Sequence, residues 1–217
     1  MENLLVIDLE MCKVDRNVIR GRKIYLDSEI IQIGAVILGK KNRIVDEWKS
    51  YVQPEYGNLD EFIETLTGIK DIDLRYAPKL ADALKKMSNW LAGRTVTASS
   101  WSVSDEVQLS VETEQKKIEN PVIAGLLENW VDLQKSYGRA RGAKNAMALE
   151  KAMRAEDIRP EGRAHDGADD AKNTALLIAK LLSEGVELEF EPINSTFEYH
   201  DEEEESFTNN PFAGLKF

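Results

Sequence analysis

Three blocks of apolar residues near the start of the chain predict a unit of three β-strands. The first, residues 4–7, is too short to cross a membrane and is apolar at every position, which is typical of a strand covered on both faces. Residues 29–38 are largely apolar and rich in β-branched side chains, and residues 43–52 form a second strand-like run that ends ahead of Pro54. We therefore expect three consecutive strands, the first of which ends at Asp8 and Glu10.

Beyond these strands the spacing of apolar residues changes to that of helices. Asp60 precedes a helical pattern that Gly68 would end, and a second pattern runs from Pro78 to Gly93. Ser104 is placed as the N-cap of a helix that continues to about residue 117. The other predicted elements are a strand over 95–101, a helix or turn over 122–130, a short strand over 131–133, helices over 145–153 and 170–182, and an edge segment over 187–191. Strands followed by strands that alternate with helices predict an α/β fold with a mixed central β-sheet flanked by helices.

Length and composition are those of one domain with its own core. The chain has 217 residues, of which 42% are apolar. No stretch holds the roughly 18 apolar residues of a membrane helix, and no basic segment precedes the first apolar block as in a signal peptide. We therefore expect a cytoplasmic protein with no membrane partner. The single cysteine, Cys12, excludes an internal disulfide and a zinc site built from several cysteines.

The negative charge is concentrated towards the C-terminus. Residues 187–217 hold nine acidic residues and one basic residue, a net charge of −8, which leaves −3 of the total of −11 to residues 1–186. Two basic stretches, residues 13–23 and 135–163, lie in this nearly neutral part and could follow a phosphate backbone. The charge pattern predicts a domain over residues 1–186 and an acidic extension over 187–217 that is flexible from about residue 198.

Asp8 and Glu10 are the first candidates for chemistry. Residues i and i+2 of a strand point to the same face, so the two carboxylates project together. Neighbouring carboxylates repel each other and raise each other's pKa unless a cation or solvent offsets their charge. Hard divalent ions such as Mg2+ prefer oxygen ligands of this kind. A metal site is one interpretation of the pair, and a solvated strand end is the other.

Three residues further along the chain are placed to complete such a site. Asp105 and Asp170 each stand near the start of a predicted helix, where a carboxylate also caps backbone amides and complements the helix dipole. His165 precedes Asp170 in a turn that contains glycine, and the ordinary imidazole pKa of about 6.5 suits proton abstraction near neutral pH. Each residue alone has a structural explanation, whereas four carboxylates with a histidine favour metal-assisted catalysis.

Together these positions resemble the DEDDh exonucleases, which are DnaQ-like members of the RNase H-like superfamily. The similarity rests on Asp8 and Glu10 in D-x-E, on Asp105 in SSWSVSD, on His165 and Asp170 in H-x4-D, and on the stretches SEIIQIGAV, YVQP and LTGI. Trp101, before the third acidic residue, is similar to a tryptophan in the Eri-type and KapD-type exonucleases. The resemblance runs from residue 1 to about residue 183 and implies an RNase H-like three-layer fold, so residues 1–186 would form the exonuclease domain.

The resemblance also implies an activity and a set of site residues. The enzyme would be a 3'-5' exonuclease that releases nucleoside 5'-monophosphates from RNA 3' ends, either single strands or overhangs. Two Mg2+ or Mn2+ ions would be bound by Asp8, Glu10, Asp105 and Asp170, and the proton of the attacking water would go to His165. The substrate would be contacted by Leu9, Met11, Cys12 and Trp101. Cys12 stands where the family commonly has threonine, and Ser102 stands where it often has glycine, so the chain departs from the family pattern at these two positions.

Two other functions remain open at this point. A DNA 3'-5' exonuclease of repair or proofreading would use the same residues, since the contact to the ribose 2'-hydroxyl that separates RNA from DNA has no signature in the sequence. A binding module would instead act through residues 201–217, where five acidic residues precede an apolar motif that could dock on a protein partner. The same segment could fold back on the positive stretches as an autoinhibitor, or serve only as a solubilising tail.

Overall fold

A mixed sheet of five strands forms the centre of the computed structural model, which describes residues 3–193. The strands are β1 (Asn3–Lys13), β2 (Ser28–Gly39), β3 (Arg43–Tyr51), β4 (Val96–Ser100) and β5 (Val131–Asp132). Their order across the sheet is β3-β2-β1-β4-β5. β1 pairs antiparallel with β2 and parallel with β4. At the edges, β3 pairs antiparallel with β2, and β5 pairs parallel with β4. The predicted unit of three consecutive strands and the mixed sheet are confirmed.

Nine helices accompany the sheet within the described residues. They are α1 (Arg16–Ile19), α2 (Glu61–Thr67), α3 (Asp71–Leu74), α4 (Leu80–Leu91), α5 (Ser104–Gln115), α6 (Pro121–Leu127), α7 (Leu133–Arg141), α8 (Leu149–Ala155) and α9 (Gly167–Ser183). The predicted limits of α2 are confirmed, because the Asp60 side chain accepts the N–H of Ile63 and Gly68 ends the helix with a φ of 73°.

Helices cover both faces of the sheet, which explains why the first apolar block has no polar position. Leu5 and Ile7 belong to a core that includes side chains of α4, α5 and α6. Leu4 and Val6 belong to a second core, which includes side chains of α7, α8 and α9. Successive residues of a strand point to opposite faces, so β1 contributes to both cores in alternation. The predicted α/β fold of three layers is confirmed.

β1 continues past the point at which the sequence predicts its end. Asp8 and Glu10 pair with Gly34 and Gln32 in the middle of the ladder, and the strand reaches Lys13 after an irregular step beyond Glu10. The neighbouring strand β2 is twelve residues long and supplies hydrogen-bond partners over this whole length. Two polar side chains therefore do not end the strand, and the prediction that it stops there was wrong.

Helices α5 and α7 are examples of where the structure differs from the sequence prediction. Ser104 is the first residue of α5 rather than its N-cap, which is Val103 and has no side-chain capping bond. The sequence pattern does not predict α7 at all. Its buried positions are only Leu133, Ser136 and Tyr137, so the apolar spacing that signals a helix is almost absent.

The predicted edge segment over residues 187–191 forms no strand. A single bridge joins Pro192 to Val131, and the Ile193 N–H donates to the Trp130 carbonyl at 2.7 Å. The predicted flexibility from about residue 198 and the roles considered for residues 201–217 concern positions outside the described residues. None of the helices between residues 3 and 193 is long and apolar enough to span a membrane.

Candidate active site

Asp8 and Glu10 lie on the face of β1 that α9 covers. They continue the alternation of Leu4 and Val6, which pack against α9 on that face. Asp8 is half-buried, and the Glu10 residue is only 8% exposed. The strand therefore holds two carboxylates side by side in a place with little water, as the D-x-E pattern predicted.

Asp105 lies beside the same stretch of β1, on the side of its other neighbour, β4. The ladder between β1 and β4 ends with the pair Val6 and Ser99, so the next stretch of β1 has no strand partner on that side. Asp105, in the first turn of α5, fills the gap: its Oδ1 accepts the Leu9 backbone N–H at 3.0 Å. Because a buried N–H needs an acceptor, this bond fixes the Asp105 carboxylate beside the strand.

α9 brings the fourth carboxylate. Its first residue, Gly167, donates its backbone N–H to the Gln32 side chain on β2. A Cβ at Gly167 would lie 2.9 Å from the Asp8 carbonyl oxygen, so only glycine lets the helix come this close to β1. Asp170 lies in the first turn of α9, and one of its carboxylate oxygens lies within 4.8 Å of a carboxylate oxygen of Glu10.

His165 lies in the turn that leads into α9. Its backbone N–H donates to Asp170 Oδ2 at 2.9 Å, and its φ of 61° is in the left-handed region. One ligand atom each of Glu10, His165 and Asp170 lie within 4.8 Å of one another, and the histidine is half-buried. The structure thus brings together all five predicted catalytic residues, which come from four segments of the chain.

Burial raises the pKa of all four carboxylates, and for Asp8, Glu10 and Asp105 the charges of other members of the cluster add to the rise. Burial raises the pKa of Asp8 well above its ordinary value, and the charges of Asp105, Glu10 and Asp170 raise it further. Burial and the charges of Asp170 and Asp105 raise the pKa of Glu10 to about 8. The pKa of Asp105 rises to about 7, mainly through burial, although the hydrogen bond from Leu9 opposes the rise. Burial likewise raises the pKa of Asp170.

This donor set fits divalent metal ions. Oxygen ligands suit hard cations, and four carboxylates offset most of the charge of two such ions while leaving coordination positions for water and phosphate. Without a cation, neither the burial of these carboxylates nor the repulsion between them, which together raise the pKa of Asp8 and Glu10, is compensated. The carboxylates themselves therefore identify the place at which positive charge would be bound.

Sequence reasoning missed three charged residues around this cluster. Asp166 is the N-cap of α9, and the Lys49 Nζ lies 2.6 Å from its Oδ2. Burial alone would raise the pKa of Asp166, but the hydrogen bond and charge of Lys49 bring it below its ordinary value. Arg163 is exposed near Glu10 and lowers the pKa of that carboxyl. The H-x4-D pattern marks this turn, but no local signal shows that β3 supplies a lysine to it.

Leu9 and Met11 lie on the face of β1 opposite the carboxylates, as strand alternation predicts for Leu9. Both are buried in the core that includes α4, α5 and α6, and they are 5% and 9% exposed. These two side chains therefore point into the core and away from the carboxylates. Their contact with a terminal nucleotide stays a prediction.

Cys12 and Trp101 are also core residues. The Cys12 side chain is fully buried next to Ile31 and Ile63, and burial raises the pKa of its thiol to about 12, so the sulfur stays protonated and is no nucleophile. Trp101 packs on Tyr137, and its Nε1 donates to the Met147 carbonyl at 2.9 Å. A direct substrate contact by either of them stays a prediction.

The departure at Ser102 affects the loop between β4 and α5. The Ser102 hydroxyl lies 2.6 Å from that of Ser104, and its carbonyl oxygen accepts a hydrogen bond from the Ser100 hydroxyl. A serine is therefore accommodated here by bonds within the loop. Asp105, which follows, still reaches the Leu9 N–H, so the departure does not displace this carboxylate.

Comparison with known proteins agrees with the geometry. The model of the RNase_T family, described as "Exonuclease", matches residues 5–178. A mouse protein named 3'-5' exoribonuclease 1 is 31% identical over 176 residues, which are 74% of this chain and 48% of the relative. A mouse protein named ERI1 exoribonuclease 2 is 31% identical over 209 residues, which are 84% of this chain and 29% of the relative. The chain thus spans about half or less of the length of these curated relatives.

A solved structure shows the same fold. It is the nuclease domain of 3'hExo, described as a DEDDh family member bound to rAMP. The two structures superpose with a TM-score of 0.76 at 25% identity, over 88% of this chain and 98% of the other. The RNase H-like fold and the predicted similarity to Eri-type enzymes are confirmed, and the chain belongs to the exonuclease family whose members include the DEDDh 3'-5' exonucleases.

Proposed function

We propose that the chain is a metal-dependent 3'-5' exonuclease that removes nucleoside 5'-monophosphates from the 3' ends of RNA. The observation that carries this proposal is the convergence of Asp8, Glu10, Asp105 and Asp170 at one point, with His165 bonded through its backbone to the last of them. Belonging to an exonuclease family supports the reaction class, and the names of the curated relatives support RNA as the substrate.

DEDDh exonucleases generally use divalent metal ions, and we assign two Mg2+ or Mn2+ ions to this site. The four carboxylates would hold them, and when bound they would activate the attacking water and stabilise the leaving 3' oxygen. This chemistry requires the carboxylates to be ionised. Ion binding and deprotonation of Glu10, whose pKa is about 8 in the ion-free site, are therefore coupled.

His165 acts as the general base in this proposal. It stands at the edge of the carboxylate cluster and is half-buried, so its imidazole can meet a water molecule that approaches the phosphate. The hydrogen bond from its backbone N–H to Asp170 fixes the position of His165 relative to a residue that would bind the ions. The turn therefore couples the position of the base to the position of the ions.

The fold alone does not separate RNA from DNA. We infer RNA from the relatives at about 31% identity, and DNA cleavage in repair or proofreading is the alternative. We also propose that residues 1–186 form the catalytic domain and that the protein acts in the cytoplasm, with a single-stranded 3' end as its nucleic-acid partner.

A digest of matched substrates tests the proposal. Single-stranded RNA, duplex RNA with a 3' overhang and single-stranded DNA of the same sequence are incubated with Mg2+ or Mn2+, with and without EDTA. We expect the two RNAs with a free 3' end to be degraded faster than DNA and EDTA to stop the reaction. Faster loss of the DNA would establish the alternative, and three intact substrates would contradict the assignment as a nuclease.

A further inference from the structure

Arg163 joins the turn of His165 to helix α2. Its Nη2 donates to the Thr65 carbonyl at 2.7 Å and to the Leu66 carbonyl at 3.3 Å. Both carbonyls belong to the last turn of α2, where the acceptors of a helix have no partner within the helix. A guanidinium at this end also complements the negative pole of the helix dipole.

Gly68 gives the guanidinium its place. This residue ends α2 with a φ of 73°, a conformation that favours glycine. A Cβ at Gly68 would lie 1.6 Å from the Arg163 Nη1 and 2.4 Å from its Cζ, so any side chain would displace the arginine. The guanidinium therefore fits against the end of α2 only because residue 68 is glycine.

The backbone around Arg163 is tied to α9 at the same time. Its N–H donates to Asp169 Oδ2 at 2.7 Å, and its carbonyl accepts the Asp166 N–H at 3.3 Å. His165 lies in the short turn between Arg163 and Asp166. Its left-handed φ of 61° costs conformational free energy, which neighbouring contacts must offset. Arg163 therefore attaches a strained turn to α2 on one side and to α9 on the other.

The Arg163 guanidinium is held in this contact by hydrogen bonds. The residue is exposed and forms no ion pair within the described residues, although its charge lowers the pKa of Glu10, and its Nη2 donates to two backbone carbonyls. A residue serving only solubility would gain nothing from ordering a long side chain in this way. The contact spans 98 residues of sequence, from α2 to the turn of His165.

We propose that Arg163 is a positioning residue, which holds the His165 turn against the C-terminal end of α2 so that the imidazole stands at the carboxylate cluster. The inference deepens the proposed exonuclease function and rests on it. Arg163 would touch neither the ions nor the reacting phosphate. Its loss would leave the four carboxylates in place and free the imidazole to leave its position.

The experiment compares Arg163→Ala and Gly68→Ala with the unchanged full-length chain and with Arg43→Ala. Arg43 is an exposed arginine at the start of β3 and forms no ion pair among the described residues. It pairs with Gly39, seven residues along β2 from Gln32, which is about 23 Å at the usual rise of a strand. It therefore controls for the loss of one positive charge far from the site.

Steady-state cleavage of single-stranded RNA gives the first measurement. We expect Arg163→Ala to lower kcat by about a hundredfold and to leave KM within about threefold, because a displaced base affects the chemical step more than binding. Gly68→Ala should lower kcat in the same sense. The double variant should be no worse than the more impaired single one, because both changes break the same contact. Arg43→Ala should match the unchanged chain.

Nuclear magnetic resonance of the histidines gives a measurement that does not depend on activity. The chain has only two histidines, His165 and His200, so the imidazole signal of His165 can be assigned with a single variant. In the folded, metal-free protein we expect Arg163→Ala to shift and broaden this signal while that of His200 stays unchanged. Arg163→Lys should lie between, since one ammonium group can reach one carbonyl but has no planar fork for two.

The outcomes separate this inference from the proposed function. An unchanged chain that does not cleave RNA would contradict the proposed function. The histidine signals would still test whether Arg163 holds the His165 turn in place. An active Arg163→Ala variant with unchanged kcat and an unchanged His165 signal would overturn the inference. A raised KM with a smaller salt dependence and unchanged kcat would overturn it as well, because it would mean that Arg163 binds substrate phosphate directly.

Discussion

Gly34 of β2 and Gly167 of α9 touch backbone to backbone, and this contact sets the depth at which α9 meets the sheet. A Cβ at Gly34 would lie 2.1 Å from both the carbonyl carbon and the carbonyl oxygen of Gly167. Gly34 pairs with Asp8 across the ladder, so the start of α9 lies against the backbone beside Asp8. Two residues far apart in sequence, both without side chains, thereby decide where Asp170 and His165 lie.

Replacing Gly34 with alanine should damage stability and activity together. The obstructing atoms are backbone atoms that cannot rotate away, so α9 must move, and we expect a loss of about 1–3 kcal/mol in the free energy of unfolding. A displaced Asp170 and His165 should also lower kcat by about a hundredfold or more. Urea unfolding and RNA cleavage of the same preparation measure the two effects.

Gly125→Ala is the matched control for that variant. Gly125 lies within α6, and a Cβ there would meet nothing within 4 Å. Alanine is a better helix former than glycine by about 1 kcal/mol, so this variant should be as stable as the unchanged chain or more so, with full activity. A Gly34→Ala variant that behaved like Gly125→Ala would refute the close packing of α9 on β2.

The stability of the metal-free protein should fall as pH rises. A carboxyl group with a higher pKa in the folded chain than in the unfolded chain binds more protons when folded, so deprotonation favours unfolding. For Glu10 the window runs from its ordinary value of 4.5 to about 8, and Asp8, Asp105 and Asp170 shift in the same direction. Urea unfolding in EDTA from pH 5 to pH 8 should therefore show a decreasing free energy of unfolding.

Two comparisons make this pH dependence specific to the site. Asp105→Asn removes one charge and keeps an oxygen that can accept the Leu9 N–H, so it should be more stable than the unchanged chain at pH 8 in EDTA and show a shallower decrease. Saturating Mg2+ should stabilise the unchanged chain most at high pH, where the ligands are deprotonated. If the free energy of unfolding of the metal-free protein rose steadily between pH 5 and pH 8, the claim that folding raises the pKa of these carboxylates would be wrong.

A buried lysine that is paired with two buried carboxylates at the far end of α5 should be essential for stability. The Lys116 Nζ lies 2.6 Å from Glu29 Oε1 and 2.8 Å from Glu112 Oε1, and both carboxylates are fully buried. Glu29 also accepts the N–H groups of Glu55 and Tyr56, which attaches α5 to the loop after β3. Lys116→Met would leave two buried charges unpaired and should cost about 3–5 kcal/mol in urea unfolding.

Lys86→Met on the exposed side of α4 provides the comparison for this change, since it replaces an exposed lysine by the same residue. It should change the free energy of unfolding by less than about 0.5 kcal/mol. If Lys116→Met were equally mild, the ion pair would not anchor α5. The position of Asp105, at the other end of that helix, would then need another explanation.

The sequence predicts the members of the site better than the contacts that assemble it. Alternation along a strand and the start of a helix are local properties, so Asp8, Glu10, Asp105 and Asp170 can be placed on elements from their neighbours alone. The order of the motifs and the family resemblance then connect them with His165. The structure confirms that these five residues meet, whereas their catalytic roles stay proposals.

The contacts that assemble the site are long-range and have weak local signals. Gly34 is simply a glycine within an apolar block, and only the fold shows that α9 rests on it. Lys49 and Asp166 are 117 residues apart, and nothing near either of them indicates the pair. The end of β1 was mispredicted for the same reason, since the continuation to Lys13 depends on its partner β2.

Degradation of a single-stranded RNA labelled at its 5' end tests the central claim most directly. With Mg2+ or Mn2+ the unchanged chain should shorten the labelled strand one nucleotide at a time from the 3' end and release nucleoside 5'-monophosphates, and Asp105→Asn, folded by circular dichroism, should leave the strand intact. Early release of the label in a mononucleotide, internal cuts, or equal degradation by Asp105→Asn would contradict a 3'-5' exonuclease that works through this carboxylate cluster.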